Sequence, residues 1–254
     1  AQSYGGDLLK FGGDAVLSFF AGPAYAARAC RAAFEMQAAM AERFAQVPTS
    51  LGLFPLRMNI GLGTGKVFSA HLGTPGRLEY AVLGPAVQQM AHAETLAQSG
   101  QTVLDEVTLR AANDAITAHP LPHAAGYFLL QEAAAMDWIA TPVSLSPPVA
   151  PPIVALRWLL TTLERLVPYL PPGLLEKLRP APADRGGEAD HRLVTTFFAG
   201  LRGANQLVEA LGPDRAVESA WALNRYFVAM RDIVERYEGI VSKVGVGPGG
   251  LHLH

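Results

Sequence analysis

Gly12-Gly13-Asp14 is the stretch of this chain where residue types and spacing could do chemistry. Leu8, Leu9 and Phe11 precede it and Val16, Leu17, Phe19 and Phe20 follow, so residues 4–20 read as a β-hairpin with an aspartate at its tip. The two glycines admit positive φ and close approach of backbone to a ligand, and the apolar flanks are expected to anchor both strands in a core. A carboxylate held at such a turn suits a hard divalent cation carrying phosphates. Mg²⁺ takes one or two protein carboxylates and fills its other positions with water and substrate oxygens. Asp14 also fits an ordinary turn, since Gly-Gly-Asp is common turn chemistry, and the local residues leave both readings open.

Strands and helices must position that acid, and composition says what kind of molecule supplies them. The 254 residues suit one large domain or two small ones, and half of them are apolar, enough for a proper core. Twenty basic residues against 22 acidic ones, with no basic run, give no nucleic-acid footprint. The single cysteine, Cys30, lies in an Ala-rich helical stretch and reads as a small core residue in a reducing, cytoplasmic setting. The most apolar region, residues 143–160, is broken by prolines and Arg157, so no membrane span is expected. The chain starts close to the key hairpin and stops in a strand-like run, as a fragment lacking material at both ends would.

After the hairpin, residues 23–46 read as a helix with an apolar face of Ala26, Cys30, Ala33, Phe34 and Met40. Residues 56–65 and 66–73 read as two strands joined in a hairpin at Gly63-Thr64-Gly65. Leu78 to Leu83 gives a strand and Pro85 opens a helix; residues 101–112 give a strand and a helix, and residues 127–130 a last short strand. The pattern indicates an α+β sandwich, mixed sheets covered by helices. Residues 141–190 form a Pro-rich linker with one short helix near 155–166. Beyond it, residues 191–200 read as a strand, about 213–236 as a helix, and residues 240–247 begin another strand.

The chain also repeats itself. Tyr4, Gly6 and Lys10 recur with identical spacing as Tyr237, Gly239 and Lys243, each lysine followed by a glycine-rich turn. In the second copy Gly250-Leu251 stands where Gly13-Asp14 stands in the first, so the second copy lacks the acid.

LLKFGGDAVLSFF, then LRMNIGLGTGKVFSAHLGTPGRLEYAVLGPAVQQMAHAETLAQSGQTVLDEVT, closely resembles the latter part of class III nucleotidyl cyclase domains. RLVTTFFAGLRG through ALNRYFVAMRDIVERYEGIVSKVGV resembles the first part of the same domain. The arrangement is similar to the tandem pair of bicarbonate-responsive soluble adenylyl cyclases and their bacterial relatives, in which an ATPase module and helical repeats often follow. The resemblance implies two incomplete ferredoxin-like, palm-type modules, residues 1–140 and 191–254, joined by the linker at 141–190 and pairing within the chain. It implies conversion of ATP to 3′,5′-cyclic AMP and pyrophosphate with two Mg²⁺ or Mn²⁺ ions, at one site where Asp14 faces Lys243.

Residue by residue, Asp14 matches the metal-binding aspartate of the hairpin. Its partner on the first strand would precede Ala1, and in the second copy Gly200 and Leu251 occupy the two acid positions. Lys243 matches the lysine that donates to the adenine ring; by itself it also reads as a solvated strand lysine. Arg77 matches a position that reaches the triphosphate, and equally reads as a loop arginine paired with Glu79. Lys10 resembles the lysine of a bicarbonate-sensing pocket, but Ala91 stands where that pocket's arginine would be. Gln88 and His92 replace the residues that orient ribose and phosphate, and Ala81 the base-reading acid, as befits a degenerate second site. His92 reads as a partly buried structural histidine, and no His/Cys/Asp cluster suggests zinc. A silent nucleotide-binding regulatory module is the alternative from another class. A diguanylate-cyclase-like domain fits less well, because Ala15-Val16 departs from that family's signature.

Overall fold

The computed structural model describes residues 2–12, 14–138, 146–147, 149–170, 193–197, 199–241, 244–247 and 250–253. In chain order the strands are β1 (Gly6–Gly12), β2 (Ala15–Phe20), β3 (Val47–Thr49), β4 (Gly52–Phe54), β5 (Ile60–Leu62), β6 (Phe68–Thr74) and β7 (Arg77–Leu83). They continue with β8 (Thr102–Asp105), β9 (Ile116–Pro120), β10 (Tyr127–Ala133), β11 (Ala199–Leu201), β12 (Val244–Gly247) and β13 (Gly250–Leu253). The helices are α1 (Tyr25–Arg43), α2 (Pro85–Leu96), α3 (Glu106–Ala112), α4 (Pro152–Leu166), α5 (Ala204–Leu211) and α6 (Ala216–Arg236). The fold is α+β, with sheets covered by helices. Among the described residues no helix is long and apolar enough to cross a membrane.

The chain divides into two compact units that do not follow its order. The first comprises Ala1–Val67, Leu83–Val143 and Gly247–Gly249. Its main sheet runs β5-β8-β10-β9, with β5 and β8 parallel and the other neighbours antiparallel. Alternation along β5 decides what covers each face. Leu62 joins a core of Ala26 and Cys30 from α1, Leu104, Ala112 from α3 and Leu130. Gly61 and Gly63 point the other way, where a Cβ would collide with the backbone of α2 at Met90 and Ala86. Small side chains on α1, with Ala26, Cys30 and Ala33 buried, let that helix lie close to the sheet.

Residues 56–73 are therefore not a hairpin. The Gly63-Thr64-Gly65 stretch ends a strand that pairs in parallel with β8, and its first glycine serves close packing rather than a turn. Two further features escaped the pattern: the β3–β4 hairpin, too short to show periodicity, and β9, whose His119 and Pro120 hide a strand at the sheet edge next to β10.

The second unit comprises Phe68–Val82, Ser144–Val246 and Gly250–His254. Strands β6 and β7 pair, and α6 packs on β6; Leu72, Ala81, Val82, Leu223 and Phe227 are buried. A three-stranded sheet runs β11-β13-β12. Of the strand expected at residues 191–200, the end pairs as β11 against β13, and among the described residues before it 193–197 hold no regular structure. The linker helix is α4, longer than expected; Tyr169 just beyond it hydrogen-bonds His71 Nδ1 at 2.6 Å.

Candidate functional site

The hairpin that carries Asp14 is held at its root, not along its length. Its register runs from Gly6 opposite Phe20 to Gly12 opposite Ala15, with a bulge between Leu8 and Lys10, and Asp14 is exposed in the turn. Near the tip, Phe11 is 56 % exposed and Val16 47 %, and Leu8 is exposed too. The apolar flanks thus do not anchor both strands in a core, as the sequence suggested. Leu17, Phe19 and Phe20, towards the root, are half-buried, whereas Leu8, Phe11 and Val16 are exposed.

Arg28, 1 % exposed on α1, does the anchoring. Its guanidinium donates to the carbonyls of Tyr4 (2.8 Å) and Gly5 (3.2 Å) at the start of β1, and to those of Ala21 and Pro23 (2.9 Å) after β2. The Trp138 ring lies 4.1 Å from its central carbon and Phe20 at 5.9 Å. Burial lowers the Arg28 pKa. Four carbonyl dipoles and two ring faces replace the lost water around a group that stays charged. Nothing in an Ala-rich helical sequence marks this arginine out from its neighbour Arg31, which pairs with Glu35 at 2.9 Å.

Beside β5, a small polar lock fixes the glycine-rich segment. Asp105, buried at the end of β8, caps α3 by accepting from Thr108 N–H at 2.8 Å. Its other oxygen faces Thr64 N–H at 3.4 Å, and Thr108 Oγ1 lies 2.8 Å from Thr64 Oγ1. Burial, then the nearby Asp105 charge, pushes the Cys30 thiol up to about 12, so this cysteine is an inert core residue, as its setting implied. The same two causes raise the Tyr127 hydroxyl.

On α2, Gln88 is half-buried and His92 is exposed, its ring 4.9 Å from that of Tyr127. His92 is therefore not the partly buried residue expected: the apolar side of α2 is Ala86, Val87 and Ala93, and His92 falls off that stripe. Ala81 is fully buried, and Lys10 is half-buried in β1 opposite Leu17.

In the second unit, Arg77 donates from Nη2 to the Val241 carbonyl at 3.2 Å and lies 3.9 Å from Glu79 Oε1. Both sequence readings missed the first contact, whose partner is 164 residues away. Lys243 lies outside the described residues. Positions 200 and 251, which the sequence analysis matched to acid positions, do come together: Gly200 pairs with His252, and the adjacent Leu201 with Leu251, so they are one register step apart on neighbouring strands.

For a divalent cation, Asp14 offers one exposed hard oxygen ligand, which suits an ion that draws its remaining ligands from water and phosphate. Among the described residues no group of three or more His, Cys, Asp or Glu could hold a metal, so a protein-only cage is not what they build.

No family model matches the chain. Uncharacterized proteins of Mycobacterium tuberculosis and Mycobacterium bovis are each 32 % identical to it over 117 residues, 45 % of this chain and 21 % of theirs. The match thus spans about a fifth of the length of these relatives. Among solved structures, the guanylyl cyclase Cya2 is 32 % identical, covering 50 % of this chain and 68 % of that one, with a TM-score of 0.41. The guanylate cyclase domain of RhGC from Catenaria anguillulae in complex with GTP is 19 % identical (51 % and 74 % covered, TM-score 0.44). The adenylyl cyclase CyaB from P. aeruginosa is 21 % identical (51 % and 74 %, TM-score 0.42). All three are nucleotidyl cyclases. The likeness covers about half of this chain.

Proposed function

We propose that this chain is part of a nucleotidyl cyclase built from two unequal copies of one domain, the first supplying a metal ligand and the second base recognition. The observation that carries this reading is the asymmetry between the copies. Asp14 stands exposed at a hairpin tip in the first, whereas positions 200 and 251, neighbours in register, hold Gly and Leu in the second. One copy has kept an oxygen ligand where the other has none. Pairing of the copies within the chain is supported by the second unit, in which hairpin β6–β7 of the first copy packs on α6 of the second.

In this reading the ribose 3′-oxygen attacks the α-phosphorus in line, giving a 3′,5′-cyclic nucleotide and pyrophosphate. A bound Mg²⁺ or Mn²⁺ would supply charge stabilisation at the phosphates. Asp14 would hold that ion, Lys243 would donate to an acceptor on the base edge, and ATP is the substrate this donor favours. Asp105, Thr64 and Thr108 have no chemical step here; they fix the glycine-rich segment against the sheet.

The test is cyclic nucleotide production by the complete parent chain from ATP and from GTP with Mn²⁺ or Mg²⁺, wild type beside Asp14→Ala. Cyclic AMP formation that disappears in the variant is the expected result. A wild type that binds nucleotide but forms neither product would replace this reading with the silent regulatory module.

A further inference from the structure

On α4 the apolar residues face the solvent. Ala155, Trp158 and Thr162 are the half-buried residues of the helix, whereas Ile153, Leu156, Leu159, Leu160, Leu163 and Leu166 are all exposed. Just past the helix end, Tyr169 ties the chain to the β6–β7 hairpin: its hydroxyl lies 2.6 Å from His71 Nδ1, and the His71 ring lies 5.3 Å from that of Tyr80. A contiguous exposed apolar face of this kind marks a contact surface.

The spacing and the charges of that face say what covers it. Ile153, Leu156, Leu160, Leu163 and Val167 follow one another at alternating steps of three and four, the spacing of a seam between two helices. Ala155, Trp158 and Thr162 fall on the opposite side of the helix from that seam. The two edges of the seam differ: one carries Leu159 and Leu166, the other Arg157 and Glu164, all exposed. Seven residues put about 10.5 Å of helix between the two charges, too far for them to pair with each other. In a parallel pair of such helices each charged edge would meet a leucine edge. In an antiparallel pair like edges meet: leucine lies on leucine, and Arg157 of each copy meets Glu164 of the other. The face is complementary to its own two-fold image.

We propose that α4 is a self-association surface, on which a second copy of this chain docks its own α4 antiparallel. Leu160 of each copy packs against Leu163 of the other and Leu156 against Val167, while the two Arg157–Glu164 pairs fix direction and register. Association needs neither nucleotide nor metal, so it stands apart from the reading of Asp14.

Sedimentation velocity of the full chain over increasing concentration tests this for wild type, Leu160→Glu, Arg157→Glu, Glu164→Arg and the variant carrying both charge exchanges. Wild type is expected to pass from one chain to two, and Leu160→Glu to stay single. Each single exchange sets like charges face to face and weakens the dimer on the order of tenfold, and the double exchange restores it. The substituted positions are all exposed, and far-ultraviolet dichroism confirms that each variant is folded. A short bismaleimide is expected to join Arg157→Cys chains to Glu164→Cys chains faster than it joins either kind to itself.

A single chain at every concentration overturns the proposal. So does a dimer that Leu160→Glu leaves intact, which places the contact elsewhere on the molecule. A double exchange no tighter than the single ones, or cross-linking confined to like chains, overturns the antiparallel pairing. Monomers that bind phosphatidylserine vesicles through the same leucines assign the face to a membrane surface instead.

Discussion

Two hairpins of the same chain are held in opposite ways. Strands β6 and β7 bury Leu72, Ala81 and Val82, and α6 lies on β6 with Leu223 and Phe227 buried. Strands β1 and β2 expose Leu8, Phe11 and Val16 and are gripped at their root by one buried arginine that reaches four carbonyls. The first hairpin is held by area removed from water, the second by hydrogen bonds at a single point. An element held by area resists everywhere along its length, whereas one held at its root leaves its tip, here Asp14, open to solvent and ligand.

The largest test of this contrast is Phe227→Ala, which empties a site only 1 % exposed. It should cost about 3–5 kcal/mol in urea unfolding of the second unit and speed amide exchange in β6 and β7, not in β1 and β2. Arg28→Met should do the reverse: about 3 kcal/mol lost in the first unit, fast exchange across Gly6–Gly12 and Ala15–Phe20, and none of it in β6–β7. Equal effects of either variant on both hairpins would break the comparison.

Smaller changes sharpen it. Asn224→Ala removes the acceptor for Gly73 N–H and should cost about 1 kcal/mol, read as faster exchange at that one amide. Phe11→Ser, on β1 where the side chain is 56 % exposed, should cost clearly less than Phe227→Ala, on the order of 1 kcal/mol, read in the same urea unfolding. A cost for Phe11 comparable to that of Phe227 would mean that the tip is covered after all.

Local patterns carried much of this in advance. The strands and helices from Leu78 to Ala112 lie where short apolar runs, Pro85 at the start of α2 and Asp105 at the cap of α3 place them, and Cys30 sits in the core its Ala-rich surroundings imply. What pattern could not show was partnership over distance. Gly63-Thr64-Gly65 looks like a turn because glycine's close-packing use and its turn use have the same spelling. Arg28 looks like any helical arginine, since its carbonyl partners lie on segments that only the fold brings together. Arg77 has a visible carboxylate two residues on, but its closer partner, the Val241 carbonyl, lies 164 residues along the chain. The acid at position 14 was legible as a turn residue; that the same turn is solvated and rooted from behind was not.

The contact of β5 with α2 sets limits on how this protein can diverge. A methyl group at Gly61 or Gly63 would have to occupy space already filled by helix backbone, and backbone, unlike a side chain, has no second rotamer to offer. Leu62 between them faces the core of Ala26, Cys30, Leu104, Ala112 and Leu130 and can be exchanged for another apolar residue when its neighbours repack. In a saturation library, residues 61–63 should therefore read as intolerant, permissive, intolerant, a period-two mark of a strand and helix that can change only as one piece.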